Sequence, residues 1–216
     1  MKKVLLLMML VSFTFTSCDK EEVLDSTIFN SELSIIHNLN NGVPTLDIVE
    51  VLGVESLYGL EFGGGFIFYV DQTDGTIMVA ADYSDFGVVA WGDVFEMDTS
   101  PSIGDGLLNT QQIVEGNAND NGEGEFDGDN YAFKLVIDLE YRNYDDWFIP
   151  SKNSMQAIYD NISSTGLGNF NDNVAYWTST KEGYSPYVMV LDPSWGGFVN
   201  FGCCCDMSGL MIVRKF

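Results

Sequence analysis

Residues 64–80 have the sequence GGFIFYVDQTDGTIMVA and predict how the main part of the fold begins. A continuous apolar run over Phe66–Val70 is followed by the turn sequence DQTDG and by a second apolar run over Thr76–Ala80. Two such runs joined by a short segment with Asp-Gly turn chemistry are typical of a β-hairpin. We therefore expect strand structure from about Phe62 onward.

The segments on either side of this hairpin complete a mixed pattern. Upstream, residues 31–61 contain two short apolar runs joined by the sequence GVP, which predict two short amphipathic helices. Downstream, Asn153–Ile162 has apolar residues at helical spacing, with Ser151 as its N-cap. Further strands are expected at Ala175–Ser179, Tyr187–Leu191, Gly197–Phe201 and Leu210–Phe216. This order of elements predicts an α+β fold.

The N-terminus has the pattern of an export signal. Lys2 and Lys3 precede an apolar run over Val4–Phe15 that is too short to cross a bilayer as a helix. The run ends in the sequence FTSC, so Cys18 follows small residues, as in the lipobox of bacterial lipoproteins. Phe15 stands where that box prefers Leu, and plain secretion is the alternative.

We therefore expect residues 1–17 to be a lipoprotein signal peptide and Cys18 to be lipidated. Residues 18–30 would form an acidic tether, because the sequence DKEE follows the cysteine directly. Such tethers resemble the signals that send some lipoproteins to the outer face of the outer membrane. The expected location is the cell envelope, with the protein attached to the membrane through its lipid.

Composition excludes several classes of function. The chain has 216 residues, of which 32 are acidic and 9 basic, and its formal net charge is −23. Such a polyanion has no general attraction for nucleic acid phosphates or anionic lipid, so we expect no nucleic-acid partner. His37 is the single histidine, which argues against a multi-histidine zinc centre or a histidine relay. We expect His37 on a helix surface.

Six blocks of sequence occur in order along residues 62–216. They are GGFIFYV at 64–70, AWG at 90–92, IGDG at 103–106 with NT at 109–110, DWFIPS at 146–151, YWTST at 176–180 and VRKF at 213–216. Together they resemble the C-terminal domain of the bacterial collagen-like adhesin (Lcl) family, a domain of unknown function common in exported lipoproteins. The resemblance implies a C-type lectin-like domain over residues 62–216, behind a short helical spacer over residues 31–61.

Most of these blocks have structural interpretations. Trp147 and Trp177 lie in short apolar runs and are expected in the core, with ligand stacking as the alternative. The glycines, Asn and Thr of residues 103–110 are expected to form a turn, since glycine accepts positive φ and the polar side chains can satisfy backbone groups. No phosphate-binding loop is present, because the required Lys-Ser/Thr pair is missing.

Residues 117–130 are the stretch richest in oxygen ligands. Alternating Asn and Asp before a glycine resemble the first half of a calcium loop, and possible calcium ligands are Asp120, Glu125, Asp127 and Asp129. Gly128 stands where such a loop needs a bidentate Glu, so a solvated acidic loop is the alternative. The calcium-dependent sugar motifs Glu-Pro-Asn and Trp-Asn-Asp are also missing.

Three consecutive cysteines, Cys203, Cys204 and Cys205, depart from the resembled family, many of whose members place a cysteine pair near residues 115–133. In a strand the first and third would face the same way, with Cα atoms about 6.6–6.8 Å apart, near the upper limit for a disulfide. In an oxidising compartment at least one of the three stays unpaired or bonds another chain. A soft-metal site or a redox pair is the alternative.

Aromatic residues in or directly beside two segments of the second half, 181–186 and 192–197, are the candidate ligand contacts. They are Tyr184, Tyr187 and Trp195, whose rings can stack on sugar rings or apolar peptide groups. We expect a surface-anchored adhesion or binding lipoprotein that recognises a neutral glycan or a protein. A structural outer-membrane component without a soluble ligand is the alternative, followed by a glycan-active hydrolase using acids such as Asp145 and Asp146.

Overall fold

The computed structural model describes residues 28–216, apart from residues 94, 120–129, 193, 195–196 and 205. The architecture is α+β, with antiparallel sheets and short helices, as the sequence predicts. In the described part of the chain, no helix is both long and apolar enough to cross a membrane. Six of the candidate residues named above lie outside the described part, and the expectations about them stay predictions. They are Cys18, Asp120, Glu125, Asp127, Asp129 and Trp195.

The described elements alternate between helices and strands in short runs. The α-helices are α1 (Ile35–Asn40), α2 (Thr45–Leu52), α3 (Gly106–Asn119), α4 (Ala132–Ile137) and α5 (Lys152–Asn161). Single 3₁₀ turns lie at Val54–Ser56 and Ser163–Thr165. The strands are β1 (Glu61–Phe62), β2 (Gly65–Val70), β3 (Ile77–Tyr83), β4 (Val89–Ala90), β5 (Ala175–Glu182), β6 (Ser185–Val190), β7 (Phe198–Phe201), β8 (Met207–Ser208) and β9 (Leu210–Lys215).

The main sheet has the antiparallel order β1-β2-β3-β9. Its centre is the predicted hairpin of β2 and β3, with one bulge between Ile67 and Tyr69. The C-terminal strand β9 pairs with β3 from Met78 opposite Lys215 to Tyr83 opposite Leu210. The last strand of the chain is therefore built into the sheet that the first hairpin begins.

A second sheet, β5-β6-β7, and the small pair β4-β8 complete the strand structure. Trp91, Trp147 and Trp177 are all buried in one apolar cluster that also includes residues of α3 and α4. The prediction that Trp147 and Trp177 belong to the core is confirmed. Helix α5 lies in a neighbouring cluster and begins, as predicted, at the Ser151 cap, whose Oγ accepts from the Ser154 N–H at 3.3 Å.

Residues 31–61 form the two predicted helices, and these pack on the main sheet. Val43, Ile48 and Leu57 are buried in the same cluster as Ile67 and Val79 of the hairpin. This segment therefore contributes to a shared core, which a detached spacer would not do. His37 is exposed on α1, as expected.

Helix α3 lies where the sequence predicts a turn. Gly104 does have a positive φ of 89°, but Gly106 already begins the helix. A Cβ at Gly106 would stand 2.6 Å from the Ile149 carbonyl oxygen, so the glycine permits close packing there. Asn109 does satisfy backbone groups as expected, since its amide bonds both the N–H and the carbonyl of Ser100. The apolar residues of α3 show little helical periodicity, which is why the pattern missed it.

Arg214 of β9 is buried and joins three separate parts of the chain. Its Nε and Nη2 donate to the two carboxylate oxygens of Asp146, and its Nη1 donates to the Gly63 carbonyl oxygen at 2.7 Å. The guanidinium also lies 3.5 Å from the centroid of the Tyr144 ring and 4.5 Å from that of Phe216. A planar, bidentate and stacked arrangement of this kind is specific to arginine.

We predict that Asp146→Asn lowers the free energy of unfolding by roughly 1–2 kcal/mol, because the charged hydrogen bonds weaken while half of the Asp146 side chain is exposed to solvent. Asp145→Asn is the matched control, since the exposed Asp145 forms no ion pair with the described residues. Urea unfolding of both variants measures the effect. Equal unfolding midpoints for the two variants would contradict this role of Arg214.

Candidate ligand-binding site

The tip of the β5-β6 hairpin carries the first predicted ligand-binding segment. Lys181 and Glu182 belong to β5 and Ser185 to β6, so the connection itself is only Gly183-Tyr184. Gly183 has a φ of 58°, in the left-handed region that favours glycine. The segment predicted as a loop over residues 181–186 is thus a tight hairpin, and Tyr184 lies at its tip with 57% of its surface exposed.

A stretch of extended backbone fixes this tip from one side. The N–H of Met97 donates to the Gly183 carbonyl oxygen and that of Thr99 to the Lys181 carbonyl oxygen, both at 3.0 Å. In return, the Gly183 N–H donates to Asp98 Oδ1 at 2.7 Å. The hairpin tip and residues 97–99 therefore hold one another in a defined position.

A cleft of about 230 Å³ opens between these two segments and the start of α5. We call it the Tyr187 cleft; its lining includes Asp98, Lys152, Thr180, Glu182 and Tyr187. These side chains bring two carboxylates, one ammonium and two hydroxyls to the cleft, beside aromatic surface. The carboxylates can accept hydrogen bonds from sugar hydroxyls or peptide amides, and the ammonium can donate to their oxygens.

The Tyr187 ring lies close to two other side chains. Its centroid lies 4.3 Å from that of Phe201, with the planes inclined by 34°, and 4.2 Å from Lys152 Nζ. The Tyr187 hydroxyl donates to Glu182 Oε2 at 2.8 Å, and this bond, together with burial, raises the pKa of Tyr187. Tyr187 is therefore half-buried, with its ring close to Phe201 and Lys152 and its hydroxyl bonded to Glu182.

Among the described residues, Tyr184 and Phe201 present exposed aromatic surface next to Tyr187. Phe201 is 50% exposed and stands opposite Tyr187 in the β6-β7 register. The Tyr184 hydroxyl lies 3.4 Å from Glu96 Oε2. Sequence reasoning missed Phe201, because only the cross-strand register shows that it neighbours Tyr187.

Lys181 is buried beneath the cleft, although the sequence places it in a predicted loop. Only 1% of its surface is exposed, and its Nζ donates to the Phe95 carbonyl oxygen. The ammonium also lies 4.0 Å from the centroid of the Phe95 ring and 4.8 Å from that of Trp91. Aromatic faces can stabilise a desolvated cation in this way. Lys181 thereby anchors the end of β5 to the core.

Two residues of the cysteine triplet, Cys203 and Cys204, are described, and they differ in bonding. Cys203 is in a disulfide, whereas Cys204 is a free, buried thiol whose Sγ lies 3.7 Å from the Tyr184 carbonyl oxygen. The expectation that one cysteine stays unpaired is met by Cys204. Burial raises the pKa of the Cys204 thiol, against the opposing effect of the nearby Lys181 ammonium. In the described part of the chain, no cluster of three or more His, Cys, Asp or Glu could hold a metal.

The sequence suggests two acidic segments as functional sites, and the structure describes them to different extents. The predicted calcium loop begins inside α3, where Asn117 Oδ1 accepts from the Asp93 N–H at 2.7 Å, and its four candidate ligands are not described. In the Asp145-Asp146 pair, both oxygens of Asp146 accept from Arg214. Asp146 is therefore a structural ion-pair partner, which removes the main support for that pair as a glycosidase site.

No protein-family model matches the chain, and no curated protein is significantly similar to it.

We predict that Cys204 resists alkylation in the folded protein, because a buried thiol with a raised pKa forms little thiolate near neutral pH. Iodoacetamide treatment at pH 7.5, followed by mass spectrometry of the peptide containing Cys204, should show modification at least about a hundredfold slower than in denaturant. Cys204→Ala is the control that identifies the modified position. Equal rates in native and denaturing buffer would show that this thiol is accessible.

Proposed function

We propose that this protein is a surface-anchored binding lipoprotein whose residues 62–216 form a C-type lectin-like domain, related to the C-terminal domain of the bacterial collagen-like adhesins. The six sequence blocks support this relationship. The pairing of the C-terminal strand with the first hairpin is consistent with it, since the VRKF and GGFIFYV blocks meet in one sheet. The α+β architecture is likewise compatible.

The Tyr187 cleft is the main structural support for a binding function. Glu182 and Asp98 offer carboxylate oxygens to hydroxyl or amide donors, while the exposed Phe201 ring offers an apolar face to the C–H side of a sugar or to a peptide. Hydrogen bonds within the site hold Tyr187 and Gly183 in place, so little ordering is needed on binding.

The ligand that fits this site best is a neutral glycan. The net charge of −23 and the carboxylates of the cleft disfavour sulfated or phosphorylated polyanions. A protein ligand would use the same aromatic and carboxylate groups. If this cleft binds no ligand, the alternative is that the protein is a structural component of the cell envelope.

We predict that the protein binds neutral glycans and that Phe201→Ala weakens this binding roughly tenfold, since an aromatic contact contributes on the order of 0.5–1.5 kcal/mol beyond area burial. A glycan array with and without calcium, run on the parent and on Phe201→Ala, measures both effects. Val51→Ala, which removes an exposed apolar side chain of α2, is the matched control and should bind like the parent.

The outcomes of the array separate the alternatives. Binding that needs calcium would support a site at Asp120, Glu125, Asp127 and Asp129. Strong binding to sulfated glycans would contradict the charge argument. Binding to no glycan would favour a protein ligand or a structural role.

We predict that Cys18→Ser releases the protein from the membrane fraction, because the thioether to the lipid needs the cysteine sulfur. Detergent partitioning and the mass of the processed N-terminus measure the change. Ser26→Ala, in the proposed tether, is the control and should stay anchored. A Cys18→Ser variant that is processed normally and remains in the detergent phase would exclude lipidation at this residue.

A further inference from the structure

A second cavity, of about 150 Å³, lies among the end of β3, the start of β5 and the start of β9, and shares no lining residue with the Tyr187 cleft. Its principal lining residues are Asp82, Val88, Asn171, Val174, Tyr176 and Leu210. The cavity is open on one side, where Val88 and Asn171 are exposed to solvent. The entrance to the cavity is therefore open to solvent.

Tyr176 provides a polar group in this cavity whose hydrogen-bonding capacity is unused. The residue is 1% exposed, and its hydroxyl is a buried polar atom that makes no hydrogen bond to the described residues. Folded proteins almost always satisfy such groups with protein, water or ligand atoms. A ligand that bonds the hydroxyl would therefore supply it with a hydrogen-bond partner.

Asp82, next to this hydroxyl, provides the charge of the cavity. Burial raises the pKa of Asp82, against the opposing effect of the Tyr176 hydroxyl and the Asn171 N–H beside it. The Tyr176 hydroxyl lies beside the Asp82 carboxylate, and burial together with this carboxylate raises the pKa of Tyr176. No ion pair to Asp82 is formed by the described residues. A cationic ligand would offset the desolvation of this carboxylate.

The remaining walls are mainly apolar and set the size and shape of a ligand. Val88, Val174 and Leu210 face a volume similar to that of engineered cavities of about 150 Å³ that hold benzene, which has six non-hydrogen atoms. A ligand of this size with one positive end and an apolar body matches both the walls and Asp82. The negative charge of the whole chain also attracts cations to its surface.

We propose that this cavity binds a primary alkylammonium group, with the ammonium between Asp82 and the Tyr176 hydroxyl and the alkyl chain against Val88, Val174 and Leu210. The same group occurs in small free amines and in the lysine side chains of a partner protein. The proposal is independent of the glycan-binding function, because the two sites share no residues.

Titration of the parent protein with n-butylammonium chloride, followed by ¹⁵N–¹H NMR, tests this proposal. We expect saturable shifts of the Asn171 and Val174 amides, and at least tenfold weaker binding of n-butanol, which has the same size without the charge. Nα-acetyl-lysine amide distinguishes the two sources of the group. If it binds as well as butylammonium, the cavity accepts lysine side chains, and if only butylammonium binds, it accepts free amines.

Variants separate specific binding from general attraction to an acidic surface. Asp82→Asn should weaken butylammonium binding at least tenfold and Tyr176→Phe several-fold, whereas Asp85→Asn, which removes a neighbouring exposed carboxylate outside the cavity, should leave it unchanged. Tyr176→Phe deletes only the unbonded hydroxyl, and the same spectra report whether each variant is folded. Equal binding of n-butanol and butylammonium, no saturable shift in the parent, or equal losses in Asp82→Asn and Asp85→Asn would overturn the proposal.

Discussion

The contact of Arg214 with Asp146 and Gly63 is the one on which the rest of the domain depends. Its bond to the Gly63 carbonyl joins positions 151 residues apart, and the parallel bonds to Asp146 fix the beginning of the DWFIPS block. Burying a guanidinium is costly unless its donors are bonded, and here the carboxylate, a carbonyl and aromatic rings supply that environment. The arrangement holds the last strand against the first hairpin while it positions the loop that leads into α5.

Strand β5 connects this framework to both proposed binding sites. Tyr176, near its start, contributes to the alkylammonium cavity, and Glu182, at its end, contributes to the Tyr187 cleft. Between them the strand is buried, and Ser179 bonds Pro150 of the DWFIPS block through its N–H at 2.8 Å. The position of each site therefore depends on how β5 is seated in the core, and that seating depends in turn on the loop held by Arg214.

Local patterns predicted the elements whose signals are local. The apolar runs of the hairpin and the Ser151 cap of α5 depend on neighbouring residues, and both lie where the sequence places them. The features that local patterns did not predict depend on contacts between residues far apart in the sequence. The burial of Lys181 depends on Phe95, which is 86 positions away, and the covering of Tyr187 by Phe201 depends on strand register. Helix α3 was missed because its apolar residues lack a clear period and its glycines predict a turn.

Native-state hydrogen exchange of the β9 amides tests most directly whether the C-terminal strand closes the domain. Strand β9 is paired with β3, and Val213 exchanges two hydrogen bonds with Phe148 on its other side. If closure by Arg214 and β9 holds the fold together, amides of β9, β3 and β5 should exchange together, at the free energy of global unfolding. Rapid exchange in β9 while β5 and β6 stay protected would show that β9 is a peripheral strand, and would contradict the account.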